Sequence, residues 1–138
     1  MIAKENRMIP KMTGIDHVHV YVKSREKSAV WYQQILGFRV LEEFRIWATE
    51  GGPLTIEDSS GNVHLALFKS KGNPQTTIAF GATASEFLNW IEHLESHQLT
   101  LRITDHNLSY SLYFYDPDDN MHEITTYDHQ QVRQHLKK

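Results

Sequence analysis

The sequence predicts an α+β protein of two tandem β-α-β-β-β modules forming a curved mixed sheet around a cavity, and three observations carry that expectation. The same order of strand-like and helix-like segments runs through the chain twice, each pass roughly 55 residues long. Four strand-like runs alternate apolar and polar residues at period two, as half-buried strands do. On their polar side stand imidazole, carboxylate and phenol groups. A solvated sheet face would hold Lys, Glu and Thr, so these faces are expected to line a pocket.

Residues 15–22 form the first expected strand, with Val18, Val20 and Val22 on one face and His17, His19 and Tyr21 on the other. The helix expected over 24–36 has Ser24 to cap it and Gly37 for the left-handed residue after its end, with Ala29, Tyr32 and Leu36 on one side. Strands over 39–47, 54–58 and 63–68 complete the first module, the last opposing Val63, Leu65 and Leu67 to His64, Ala66 and Phe68. Residues 69–75, with Gly72 and Pro74, connect the halves and are too few to separate independent domains. The second module opens with a strand over 76–82 and a helix over 84–97, where Thr83 and Glu86 make a capping-box pattern and Phe87, Ile91 and Leu94 a buried stripe. Strands follow over 101–105, 111–115 and 123–127, the last placing Glu123, Thr125 and Tyr127 on one side. Residues 116–120 read as a hairpin turn and not as a calcium loop. The expected organisation is one domain over 13–128, with modules at about 15–69 and 75–128, an extension over 1–12, and a tail or short helix over 129–138.

Composition narrows the partners. With 138 residues the chain suits one domain and one proper core. Fourteen Lys and Arg against 17 Asp and Glu give a net charge of −3 without a long single-sign run, which predicts neither nucleic-acid nor anionic-membrane binding. There is no cysteine, so disulfides, a thiolate nucleophile and cysteine-held zinc are excluded, and a metal must be held by His and carboxylate. Residues 1–12 lack the apolar core of a signal peptide and no run is long enough to span a bilayer, so the expected location is cytoplasmic.

The opening Ile15-Asp16-His17-Val18, the helix Trp31-Tyr32-Gln33-Gln34-Ile35-Leu36-Gly37-Phe38 and the closing Tyr113-Phe114-Tyr115-Asp116-Pro117-Asp118-Asp119-Asn120-Met121-His122-Glu123 resemble the vicinal oxygen chelate superfamily. That group includes glyoxalase I, bleomycin resistance proteins, fosfomycin-modifying enzymes and extradiol dioxygenases, and the resemblance covers about residues 13–128. It implies a homodimer acting on a small molecule, and places His17 and Glu123 at positions that hold a divalent metal. Thr77 stands where many metal-binding members have a second histidine, Ala66 stands at another ligand position, and Asp119 stands where relatives commonly have Gly. His64 lies two residues before Ala66 on the same face. The expected metal trio is therefore His17, His64 and Glu123, whose two imidazoles and one carboxylate suit Fe(II) or Mn(II) and leave positions open for substrate oxygens. Without a metal, His17 and Glu123 would pair in a polar cavity. Tyr113 resembles the family tyrosine that approaches substrate, and His106 is placed to move a proton, so these two are the expected catalytic pair.

The remaining histidines, His93, His97, His122, His129 and His135, read as solvated, while Trp47, Phe68, Tyr115 and Tyr127 are candidates for the apolar wall of a ligand cavity. The expected function is a divalent-metal-dependent enzyme of the glyoxalase or extradiol dioxygenase type, acting on a substrate that chelates through vicinal oxygens. The alternatives are a metal-free binder of aromatic ligands, as bleomycin-resistance relatives are, and a fosfomycin-type thiol transferase.

Overall fold

The computed structural model describes residues 13, 15–71 and 76–137. The expected extension over 1–12 and four residues of the connection between the halves, 72–75, lie outside these. The first module runs β1 (Val18–Val22), α1 (Arg25–Leu36), β2 (Arg39–Val40), a 3₁₀ turn (Glu42–Phe44), a short helix α2 (Arg45–Thr49), β3 (Leu54–Glu57) and β4 (His64–Lys69). The second runs β5 (Thr77–Gly81), α3 (Ala84–Ser96), β6 (Arg102–Asp105), β7 (Tyr110–Tyr115) and β8 (Met121–Thr126), followed by α4 (His129–Leu136). The strand orders are β1-β4-β3-β2 and β5-β8-β7-β6, so the repeat of the sequence is a repeat of topology. In each module the first and last strands are a parallel pair, β1 with β4 and β5 with β8, because the helix carries the chain across to the far edge and the antiparallel strands then return it beside the first.

Local chemistry sets the helix ends. Ser24 Oγ accepts from the Lys27 N–H at 3.2 Å, and Gly37 takes φ +77° so that its N–H reaches Gln33 O at 3.1 Å. The hydroxyl of Thr83 accepts from Glu86 N–H at the start of α3. The expected strand over 39–47 is corrected, since only Arg39–Val40 pairs with β3 and the chain then turns helical. Arg45 ties back to Glu42 three residues before it at 2.8 Å and to Glu26 of α1 at 2.7 Å, contacts that a strand could not make. Arg25 then binds the carbonyls of Ala48 and Gly52 and closes the end of α2.

Packing follows the predicted register. Val20 and Val22 are buried with Leu65, Leu67, Ile56 and Tyr32, while Ile124, Leu112 and Phe114 are buried with Phe87 and Leu94. Each large apolar side chain so removed from water contributes about 1.5–3 kcal/mol. The two cores are joined: Ile78 and Phe80 of β5 pack on the first core, and Ile35 of α1 belongs to the second.

A polar clasp crosses the same boundary. The Tyr32 hydroxyl donates to Asp116 Oδ2 at 2.8 Å, and its oxygen accepts from His122 Nε2–H at 2.9 Å. Asn120, fully buried, donates to Tyr21 O and to Asp116 and accepts from Thr76 N–H. Asp116 Oδ1 also takes the N–H groups of Asp118 and Asn120, which makes residues 116–120 the predicted turn, with Asp119 at φ +66°. Burial, with the neighbouring Asp116, pushes the Tyr32 phenol far above its ordinary value, so it stays a donor.

His122 therefore departs from the expected solvated role. It has no exposed surface, and its Nδ1 has no partner among the described residues. His93 is corrected as well: half-buried on α3, it donates to Ile35 O at 2.7 Å and holds the end of α1. The ring of His129 stacks on Tyr110 and pairs with Asp105 at 2.7 Å, fastening α4 to the second sheet. Only His97 and His135 of that group are exposed. No helix among the described residues is long and apolar enough to cross a membrane.

Candidate functional site

Period-two alternation gives each sheet one apolar face toward the core and one polar face that solvent reaches. On the second sheet Ala79, Glu123 and Tyr113 are successive partners across β5, β8 and β7 and so share the polar face. Ser111, two residues before Tyr113, is 1% exposed and donates from Oγ to Glu123 Oε2 at 2.7 Å. That bond fixes the carboxylate rotamer, and Oε1 has no partner among the described residues.

Beside it, the structure brings His106 and Tyr113 together, with Nε2 and the phenol oxygen 3.0 Å apart. The loop that presents His106 is built by its neighbours. Asn107 takes φ +73°, its N–H is bound by Asp105 Oδ1 at 2.8 Å, and His106 N–H closes on Ser109 O. Asp105 is held down to about 2 by the hydrogen bond from His129, then by that from the Asn107 N–H, and so anchors the loop as an anion. Arg102, the cross-strand partner of Tyr113, lays its guanidinium over the phenol ring at 4.2 Å from the centroid. A hydrogen-bond donor pair, a carboxylate and a cation thus occupy neighbouring positions of one sheet face.

On the first sheet the rings of His17, His19, Phe68 and Tyr21 follow one another at centroid separations of 5.0, 4.6 and 5.9 Å. His17 is accessible, bonded through Nδ1 to Asp16 at 2.8 Å and through Nε2 to His19 at 3.1 Å. His64 is engaged elsewhere: it pairs with Glu57 across β3 at 2.8 Å, and Arg39 binds the other oxygen of that carboxylate. Phe68 joins the ring row, whereas Trp47 stacks on Phe44 of the 3₁₀ turn and Tyr115 and Tyr127 are exposed.

The five residues singled out from the sequence therefore fall in two places. His106, Tyr113 and Glu123 share the polar face of the second sheet, while His17 and His64 line a cavity between the modules that Glu123 does not reach. Tested against a divalent ion, the trio does not make a site within one chain: His64 is held by Glu57, and no group of three His, Asp or Glu residues is arranged for a metal among the described residues. Sequence reasoning missed Arg102 and Ser111. The alternation of β6 carried the first signal, because Arg102 and Thr104 stand out of register with Leu101 and Ile103.

The family model for the glyoxalase/bleomycin resistance protein/dioxygenase superfamily matches residues 14–124. The metallothiol transferase FosB of Staphylococcus epidermidis is 29% identical over 126 residues, 84% of this chain and 83% of that protein. Among solved structures, the integron cassette protein HFX_CASS4 from the mobile metagenome of the Halifax Harbour sewage outfall is 29% identical at a TM-score of 0.69, over 83% of this chain and 99% of the other. The fosfomycin resistance protein FosX of Listeria monocytogenes, solved with Mn(II) and sulfate, shares the fold at 15% identity and a TM-score of 0.62, over 91% and 99%.

Proposed function

Because the chain belongs to the glyoxalase/bleomycin resistance protein/dioxygenase superfamily, we propose that it is an enzyme acting on a small substrate through vicinal oxygens, at the polar face of its second sheet. The observation that carries this reading is the fixed row in which Ser111 orients Glu123 beside the His106–Tyr113 pair. A substrate oxygen that gains negative charge there meets the Tyr113 hydroxyl as a donor, and His106 at 3.0 Å can give or take the proton that the phenol shares. Arg102 over the ring keeps the phenol from swinging out of the sheet face and adds positive potential beside it.

A divalent ion, Fe(II) or Mn(II), belongs to this reading at the level of the assembly and not of one chain. In a cytoplasmic homodimer the donors on offer are His17 of one copy and Glu123 of the other, both on solvent-reached faces, and the Mn(II) held by the Listeria relative supports such an ion. An ion there would act as a Lewis acid on the substrate oxygens. The proton shared by Tyr113 and His106 moves between protein atoms alone.

The test is metal analysis of protein purified without chelator or affinity-tag metal, together with sedimentation and a substrate panel of catechols, hemithioacetals and fosfomycin with thiols. The expected result is a dimer with one ion per chain, lost in both His17→Ala and Glu123→Ala and retained in His93→Ala. A monomer that binds no ion after anaerobic loading, turns over nothing and retains an aromatic ligand would replace the enzyme by a binder.

A further inference from the structure

The cavity between the modules measures about 760 Å³, within the range of small-molecule sites, and none of Glu123, Tyr113 and His106 lines it. Its floor is apolar: Phe38, Ile78, Phe80 and Trp90 pack against the two cores and turn their remaining surface into this space. Its rim is acidic. Asp58 and Glu86 stand around it, with Asp16 paired to His17 and with His64 paired to Glu57, and no Lys or Arg lines it among the described residues.

Asp58 is a fixed anion. Partial burial pushes its carboxyl up, but bonds from Ser60 Oγ at 2.7 Å and from the N–H groups of Val63 and Asn62 hold it below the usual carboxylate range. Glu86 stands exposed in the first turn of α3 with no ion pair among the described residues. Among the described residues, an anion entering this space would meet Asp58 and Glu86 with no Lys or Arg to balance them. A neutral apolar molecule would fill the floor and leave the rim unused.

We propose that the cavity binds an amphipathic cation, with its aromatic or aliphatic body on Phe80 and Trp90 and a protonated amine or quaternary ammonium at the carboxylate rim. The site lies apart from Glu123, Tyr113 and His106, shares only His17 with the residues of the proposed function, and requires neither metal nor turnover. Charge attraction acts on the cationic end, in a crevice where water screens it less than on open surface, while apolar contact with Phe80 and Trp90 holds the body.

The probes are thioflavin T, an aromatic cation, and 8-anilinonaphthalene-1-sulfonate, an aromatic anion of similar size. Each is titrated into the full metal-free chain by fluorescence, with the Trp90 indole N–H followed by NMR. The expected result is one saturable site for the cation, bound at least about 10-fold more tightly than the anion, with the Trp90 resonance shifting along the same isotherm. Glu86→Lys reverses an exposed charge at the rim and should weaken cation binding by about 10-fold, while Glu95→Lys, on the same helix away from the cavity, should change it less than 2-fold. Ala82→Leu, which fills space at the cavity wall, should abolish binding of the cation. Equal affinity for the two probes, equal effects of the two Lys variants, or saturation without a Trp90 shift would overturn the proposal. Because the assay contains no divalent ion and no substrate, its failure leaves the enzymatic reading standing, and the reverse holds.

Discussion

Replacing His122 by Phe should remove an acid lability that this one side chain builds into the fold. His122 is buried against Phe80, Phe114 and Tyr32, and burial holds its imidazole down to about 4 from an ordinary 6.5. Because the folded value is the lower one, the unfolded chain binds more protons between the two. The stability that His122 contributes is thus fully present above pH 6.5 and is lost as pH falls toward 4. A shift from 6.5 to about 4 corresponds to about 3 kcal/mol in all, most of which disappears between pH 7.5 and 4.5. In His122→Phe the Tyr32 hydroxyl keeps its acceptor on Asp116, and the orphaned Nδ1 is gone. The assay is equilibrium urea unfolding of both proteins at pH 7.5, 6.0 and 4.5. The other eight histidines are common to both, so the difference between the profiles isolates this site. The two stability curves should converge or cross on acidification, the variant losing about 2–3 kcal/mol less than the parent. Parallel curves over the whole range would show that His122 gains a partner for Nδ1 in solution, and the reasoning would fail.

Four further outcomes are expected. His106→Gln should lower turnover on the substrate found in the panel by roughly 10²-fold or more while metal content stays that of the parent, as loss of a proton-transfer group does. Ser111→Ala should leave a fully folded protein in which Glu123 has lost its orienting donor, measured as a rise in the dissociation constant for the loaded ion by about 10-fold or more. Asn120→Ala removes bonds to Tyr21 O, Asp116 and Thr76 N–H at a fully buried site and should cost about 2–4 kcal/mol by denaturant unfolding. Gly37→Ala places a Cβ at φ +77° and should cost about 1 kcal/mol in the same measurement.

The fold was legible because its determinants are local and repeated. Ser24, Gly37 and Thr83 mark helix ends by chemistry that depends on a few neighbouring atoms, and the alternation of β1 and β8 names their core faces without reference to any partner. The failure at 39–47 has the same root. Helix formation there rests on Arg25 reaching the carbonyls of Ala48 and Gly52 and on Arg45 reaching Glu26, contacts that span about twenty positions and leave no local pattern. His122 was legible in principle: if Glu123 faces outward on β8, period two sends His122 into the core. It was misjudged because a histidine was weighed by type and not by phase. The site residues divide along similar lines. His106 and Tyr113 meet because β6, β7 and the loop between them are consecutive in the chain, whereas the separation of His64 from Glu123 depends on how two distant modules pack.

The substitution pattern of the two polar faces bears on the chemistry this chain can do. At Thr77 and Ala79 the opening strand of the second module carries a hydroxyl and a methyl, so the imidazole that many relatives place at Thr77 is missing from the face that holds Glu123. A carboxylate with one oxygen tied to Ser111 is a weaker anchor for a borderline cation than a carboxylate with an imidazole at its side. The loss of one neutral nitrogen donor leaves the net charge of the face unchanged, and what grows in importance is the group that remains. On this sheet that group is the His106–Tyr113–Arg102 row, which can donate to and stabilise a developing oxyanion with protein atoms alone. Its close geometry, fixed through Asn107 and Asp105, is the feature on which the proposed substrate-facing role of the second sheet stands or falls.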